Sequence, residues 1–252
     1  MRAFGYGDPA GGRDAVVSRL GSGNFSGSMR SAADVSWPAQ AVYGRRDQTG
    51  SRIGQAFRAV ARLILPVATL LLAFAGVYLY LDTAADFVGG QSSWLTVGHL
   101  LLPLCFLSVH LTNRRYGPSM AFAQVVVALA LAAAFVTFAV PQLGALIPFK
   151  VVPQMRQAYA FAGAFLGASF ISIVVFDGAR GPRWWIAPLL GMISAVVLFS
   201  LIFYPTAYAG ETDWSQRMML HMELLAGLAI LSLIPYWSLR GIIRPLPGFG
   251  GY

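Results

Sequence analysis

Six long apolar runs dominate the chain, at residues 63–81, 95–111, 120–140, 158–176, 184–204 and 218–237. Each holds about 17–21 residues, enough for a helix rising 1.5 Å per residue to cross a ~30 Å hydrocarbon core. The runs are continuous rather than alternating, which predicts helices and not barrel strands. The second run is the shortest and most polar. No period of 20–50 residues repeats. The expected fold class is all-α: a polytopic membrane helix bundle of about six transmembrane helices, with an irregular N-terminal tail.

The flanks divide the rest of the chain. Residues 1–50 are rich in Gly, Ser, Ala and Arg and contain no apolar h-region, so they read as a cytoplasmic tail and not a signal peptide. In residues 51–62, Ile53, Phe57 and Val60 share one helical face while Arg52, Arg58 and Arg62 supply charge. That pattern predicts an interfacial amphipathic helix or an extension of the first span. The transmembrane domain is expected over 63–240, and a second cytoplasmic tail over 241–252.

Composition agrees with the pattern. Hydrophobic residues make up 57% and charged residues 11%, against about a quarter charged in soluble domains. The net charge is +8, and Lys150 is the one lysine beside seventeen arginines. These arginines lie in short loops and tails, which points to topology and anionic lipid rather than nucleic acid. Nine of them precede the first run; Arg114, Arg115, Arg180, Arg183, Arg240 and Arg244 follow the second, fourth and sixth. The alternate loops carry Asp82, Asp86, Lys150, Arg156, Glu211, Asp213 and Arg217. The positive-inside rule then puts both termini in the cytoplasm of a bacterial inner membrane. Tyr80, Trp94, Trp184, Trp185, Tyr204 and Trp237 sit near span ends as an aromatic belt.

Polar residues within spans are costly and are the candidates for function. They are His99 and His110 in the second run, Gln124 in the third, and His221 and Glu223 in the sixth, with Asp177 at the end of the fourth. His99, His221 and Glu223 share the outer half of the membrane. Because His221 and Glu223 are two apart on a helix and face differently, an interhelical hydrogen bond or salt bridge, or plain solvation at headgroup level, is expected there rather than a metal site. Asp177, Arg180 and Arg183 form an expected ion cluster, with Trp184 and Trp185 anchoring the fifth span. Cys105 reads as a buried small side chain, and Gly163-x-x-x-Gly167 as a close-packing motif. No Walker A, GxSxG, HExxH or strand-linked GxGxxG pattern occurs, so an enzyme is not expected, nor a cofactor.

Two stretches carry a resemblance. In residues 95–121, Pro103-Leu104-Cys105-Phe106-Leu107 is followed by His110-Leu111-Thr112-Asn113, Arg114, Arg115 and Tyr116-Gly117. In residues 165–190, Val175-Phe176 leads through Arg180 and Arg183 to Trp184-Trp185-Ile186-Ala187-Pro188. Together they resemble the VUT family of bacterial queuosine-precursor transporters, over residues 63–240. The resemblance implies a six-span importer of a 7-deazapurine base. It departs from the family where His110 replaces an acidic residue, and where acidic and basic residues usual in the fifth and sixth spans are missing. His110, Asn113, Gln124 and Glu223 would remain as substrate contacts. The alternative is a non-transporting accessory subunit of a larger inner-membrane complex, docked through a protein partner of residues 1–50.

Overall fold

The computed structural model describes residues 52–81, 83–85, 94–139, 142 and 155–246. The 1–50 tail, Asp82, Asp86, Lys150 and the end of the C-terminal tail lie outside them. The described residues form helices: α1 (Arg52–Leu79), α2 (Val97–Tyr116), α3 (Pro118–Ala134), α4 (Met155–Gly178), α5 (Ile186–Ala207), α6 (Trp214–Leu231) and α7 (Leu233–Ile242). A π-helical turn, Phe135–Ala139, extends α3, and α6 and α7 run on as one span through Ser232. The protein is an all-α bundle of the multi-pass membrane type. Five of its helices are long and apolar enough to cross a membrane.

The sixth, α2, falls short of that apolarity, and its position explains why. Twelve of its twenty residues are buried, against four of seventeen in α3. It packs against all the other α-helices. A helix wrapped by protein has no lipid to satisfy, so it can carry His, Thr, Asn and Ser. Its start is capped by Thr96 paired with His99. Its end is a turn at Gly117, whose φ of 84° suits glycine, with Pro118 opening α3.

The boundaries decide one alternative and correct one expectation. Residues 52–62 are the first turns of α1, which continues through Pro66, so the segment is the helical extension of the first span. The second span does not end at 111 but runs to Tyr116, which brings Thr112 and Asn113 inside the bundle as buried residues.

Aromatic rings fill the core. Phe106 stacks on Phe165 at 4.9 Å, Phe74 meets Phe165 edge-on at 5.0 Å, and Phe199 stacks on Phe203 at 5.2 Å. On α4 the buried small residues are Ala160, Ala164, Ala168, Ser169 and Ser172. Gly163 is exposed with open space over its Cα, so the glycine pair is not the packing seam.

The described arginines are segregated. Arg58, Arg62, Arg114, Arg115, Arg180, Arg183, Arg240 and Arg244 lie at one end of the bundle; Arg156 and Arg217 lie at the other. At that second end Arg217 pairs with Glu211 at 2.8 Å and Asp213 at 3.2 Å. Hydrogen bonds from Thr212 and Arg217 hold the Asp213 carboxyl below the usual carboxylate range.

Candidate functional site

The two stretches that carry the family resemblance meet at the arginine-rich end. Arg180 donates to the Asn113 carbonyl at 2.9 Å and to Asn113 Oδ1 at 3.1 Å. Its Nε pairs with Asp177 Oδ1 at 2.8 Å. Asn113 Nδ2 donates across to the Ile173 carbonyl at 3.3 Å. The end of α2 is thus bolted to the end of α4 by a side chain that the sequence offered as a ligand contact. The ion pair of Asp177 and Arg180 is present as expected. Arg183 stands apart from it, exposed, and Trp185 is exposed beside Trp184, over which Arg240 sits at 4.8 Å.

Gln124 lies one layer deeper and is fully buried. Its Nε2 donates to the Pro66 carbonyl at 2.7 Å and to Ser108 Oγ at 3.0 Å. Thr69 joins the same group, donating to Pro66 O at 2.8 Å and meeting Ser108 Oγ at 3.0 Å. One amide therefore ties α1, α2 and α3 together. Removing it takes away two hydrogen bonds in a low-dielectric layer, one to Ser108 Oγ and one of the two side-chain bonds to the Pro66 carbonyl. Gln124→Leu is expected to lower stability by about 1–3 kcal/mol, read as a lower unfolding temperature in detergent; an unchanged midpoint would show that the amide is not a tie.

His110 differs from its neighbours. It is fully buried, its ring stacks on Phe176 at 5.1 Å, and it lies against Gly191. Neither ring nitrogen has a hydrogen-bond partner. Gln124 Oε1, Ser169 Oγ, Ser200 Oγ, Tyr204 Oη and His221 Nδ1 are likewise buried without one. These atoms belong to five helices, α2 to α6, and run from the His110 level to the opposite end of the bundle.

At that opposite end His99 and His221 come together as expected, ring centroids 5.3 Å apart, with His221 Nε2 3.5 Å from the His99 carbonyl. Thr96 Oγ1 holds His99 Nδ1 at 2.8 Å. Tyr204 packs on His221 at 5.5 Å. Glu223 does not join them: it is exposed on the outer face of α6. It is remote in facing from His110, Asn113 and Gln124, so the four expected contacts do not form one site. Among the described residues no group of three or more His, Cys, Asp or Glu side chains could hold a metal ion.

Sequence reading missed Tyr204, Ser169 and Ser200 as core polar groups. A lone hydroxyl in an apolar run is unremarkable in sequence, because Ser can bond its own helix backbone and Tyr can reach the headgroups. The chain matches no protein-family model, no curated protein and no solved structure.

Proposed function

We propose that this protein is a small-solute transporter of the bacterial inner membrane, built on the plan of importers of queuosine precursors, with a planar 7-deazapurine base as its substrate class. The observation that carries the reading is the string of unpartnered polar atoms through the core, from His110 to His221. Each such atom costs about 1–3 kcal/mol when buried without a partner. A bundle keeps that cost where another state puts water or solute polar groups against the same atoms. His110 packed on Phe176 and Gly191 suits a flat heterocycle, which needs a ring to stack on and a polar edge to pair with. The family resemblance of residues 95–121 and 165–190 supports the same substrate class. The segregation of arginines supports an orientation with both termini in the cytoplasm.

The test is uptake of labelled 7-cyano-7-deazaguanine by cells that lack their own salvage importer, with insertion of the protein confirmed. Saturable uptake above the empty-vector level is expected. No uptake from well-inserted protein would overturn the transport reading.

One observation favours a second reading, an accessory subunit of a larger membrane complex. On α6 and α7 the residues Gln216, Leu220, Glu223, Gly227, Ile230 and Ile234 are all exposed and recur at four-and-three spacing. That spacing suits the seam of a helix pair, with a small residue for close approach and a carboxyl within the span. A partner helix with a basic or hydrogen-bond-donating side chain opposite Glu223 would complete it. The expected docking segment, residues 1–50, lies outside the described residues. With Cys105→Ser as background, Ile230→Cys is expected to crosslink to one discrete second polypeptide in native membranes, and Glu223→Leu to reduce that product severalfold. A purely monomeric Ile230→Cys protein would sink the seam.

A further inference from the structure

At the arginine-rich end a cleft of about 830 Å³ opens between the end of α2, the α4–α5 loop and α7. Arg114, Arg180, Arg183, Arg240 and Arg244 line it. Among the described residues, the carboxylate that pairs with this group is Asp177, on Arg180. Arg183, Arg240 and Arg244 form no ion pair among the described residues. These three guanidinium groups alone place three positive charges without an ion-pair partner among the described residues around a single cleft. Such a concave cluster concentrates positive potential and attracts anions.

Its surroundings narrow the anion. The floor is apolar, made by Phe176 and Ala187. Trp184 lines one side with Arg240 against its ring, and Trp184, Trp185 and Trp237 are all exposed at this level. Tryptophans in that arrangement mark the headgroup layer. A cleft with a cationic mouth and an apolar floor, placed at headgroup depth, matches an amphiphile better than a free ion. Guanidinium forks pair bidentately with phosphate oxygens.

We propose that this cleft binds the phosphate-diester headgroup of an anionic phospholipid from the adjoining leaflet, with Arg183, Arg240 and Arg244 as its main contacts. The three charges of Arg183, Arg240 and Arg244 suit a doubly charged diphosphatidylglycerol headgroup better than a singly charged one. The site stands independently of transport, since none of its arginines belongs to the buried core path.

The experiment is native mass spectrometry of the full chain released from micelles supplied with cardiolipin, with phosphatidylcholine, or with inorganic phosphate alone. Cardiolipin adducts are expected to persist where phosphatidylcholine adducts do not. The triple change Arg183→Gln, Arg240→Gln, Arg244→Gln is expected to weaken cardiolipin binding by roughly a hundredfold. Arg58→Gln with Arg62→Gln, at the same end on α1, should leave it unchanged. Equal retention of both lipids, or an indifferent triple variant, overturns the proposal. Displacement of cardiolipin by inorganic phosphate at the same arginines assigns the site to a soluble phosphate and overturns the lipid source. Should the triple variant fail to insert, the wild-type salt response decides: retention that does not fall with ionic strength refutes a charge-held headgroup.

Discussion

Gly98→Ala is expected to lower the unfolding midpoint by roughly 6–12 °C, from about 3 kcal/mol of overpacking at 2–4 °C per kcal/mol. Gly98 opens α2 directly against the end of α1. A Cβ there would overlap the Val77 carbonyl oxygen and approach Leu81 N at 3.1 Å. Both are backbone atoms, so no rotamer change relieves the clash. The Gly98 amide also donates to the Tyr80 carbonyl at 2.9 Å, and Val97 to Thr83 at 2.8 Å, so moving the helices apart breaks these bonds. The internal comparison is Gly163→Ala, where nothing lies within 4 Å of the added carbon. It is expected to be neutral or to raise stability by up to about 1 kcal/mol, as alanine restricts the unfolded chain. Thermal unfolding of both variants in one detergent measures the contrast. Equal midpoints would mean that α1 and α2 do not approach as closely as described.

His110→Leu is expected to raise stability and to abolish uptake together. The two unpartnered ring nitrogens cost about 1–3 kcal/mol each while buried. Leucine has nearly the same volume and keeps the contacts with Phe176 and Gly191, at a shape penalty of up to about 1.5 kcal/mol. The net expectation is a gain of about 0.5–6 kcal/mol in unfolding free energy. Stability gained by removing a group, with activity lost, is the pattern of a residue kept for function. Unchanged uptake would remove His110 from the solute path. A marked loss of stability would show that the nitrogens have protein partners.

Much of the fold was legible in one dimension. Each of the six apolar runs lies largely within a helical span, and the polar second run became the enclosed helix. The contact between His99 and His221 followed from alternating the spans and comparing depths. Of the expected ion cluster of Asp177, Arg180 and Arg183, the pair of Asp177 and Arg180 is present and Arg183 stands outside it.

The facing of residues was not legible. The runs of α3, α4 and α5 are apolar on every side, so no periodicity marks which face meets protein and which meets lipid. Glu223 was expected inside because a charge in a span is costly, yet α6 turns it outward. Leu225 and Ala229, completely buried, hold the inward face instead. Asn113 was named a substrate contact through the family resemblance, in a segment placed beyond the end of the second run at 111. Extending α2 to Tyr116 buries it within reach of Arg180.

The sequence alone determined that the chain is a helical bundle of the membrane type and at which end the arginines collect. Those properties depend on local apolarity and charge, which the bilayer reads segment by segment. Only the tertiary structure decided that α2 lies at the centre, that Gln124 ties α1, α2 and α3, that Glu223 faces outward, and that five arginines from three separate parts of the chain surround one cleft. Helix rotation and neighbour choice set these, and they are fixed by shape fit between side chains far apart in sequence.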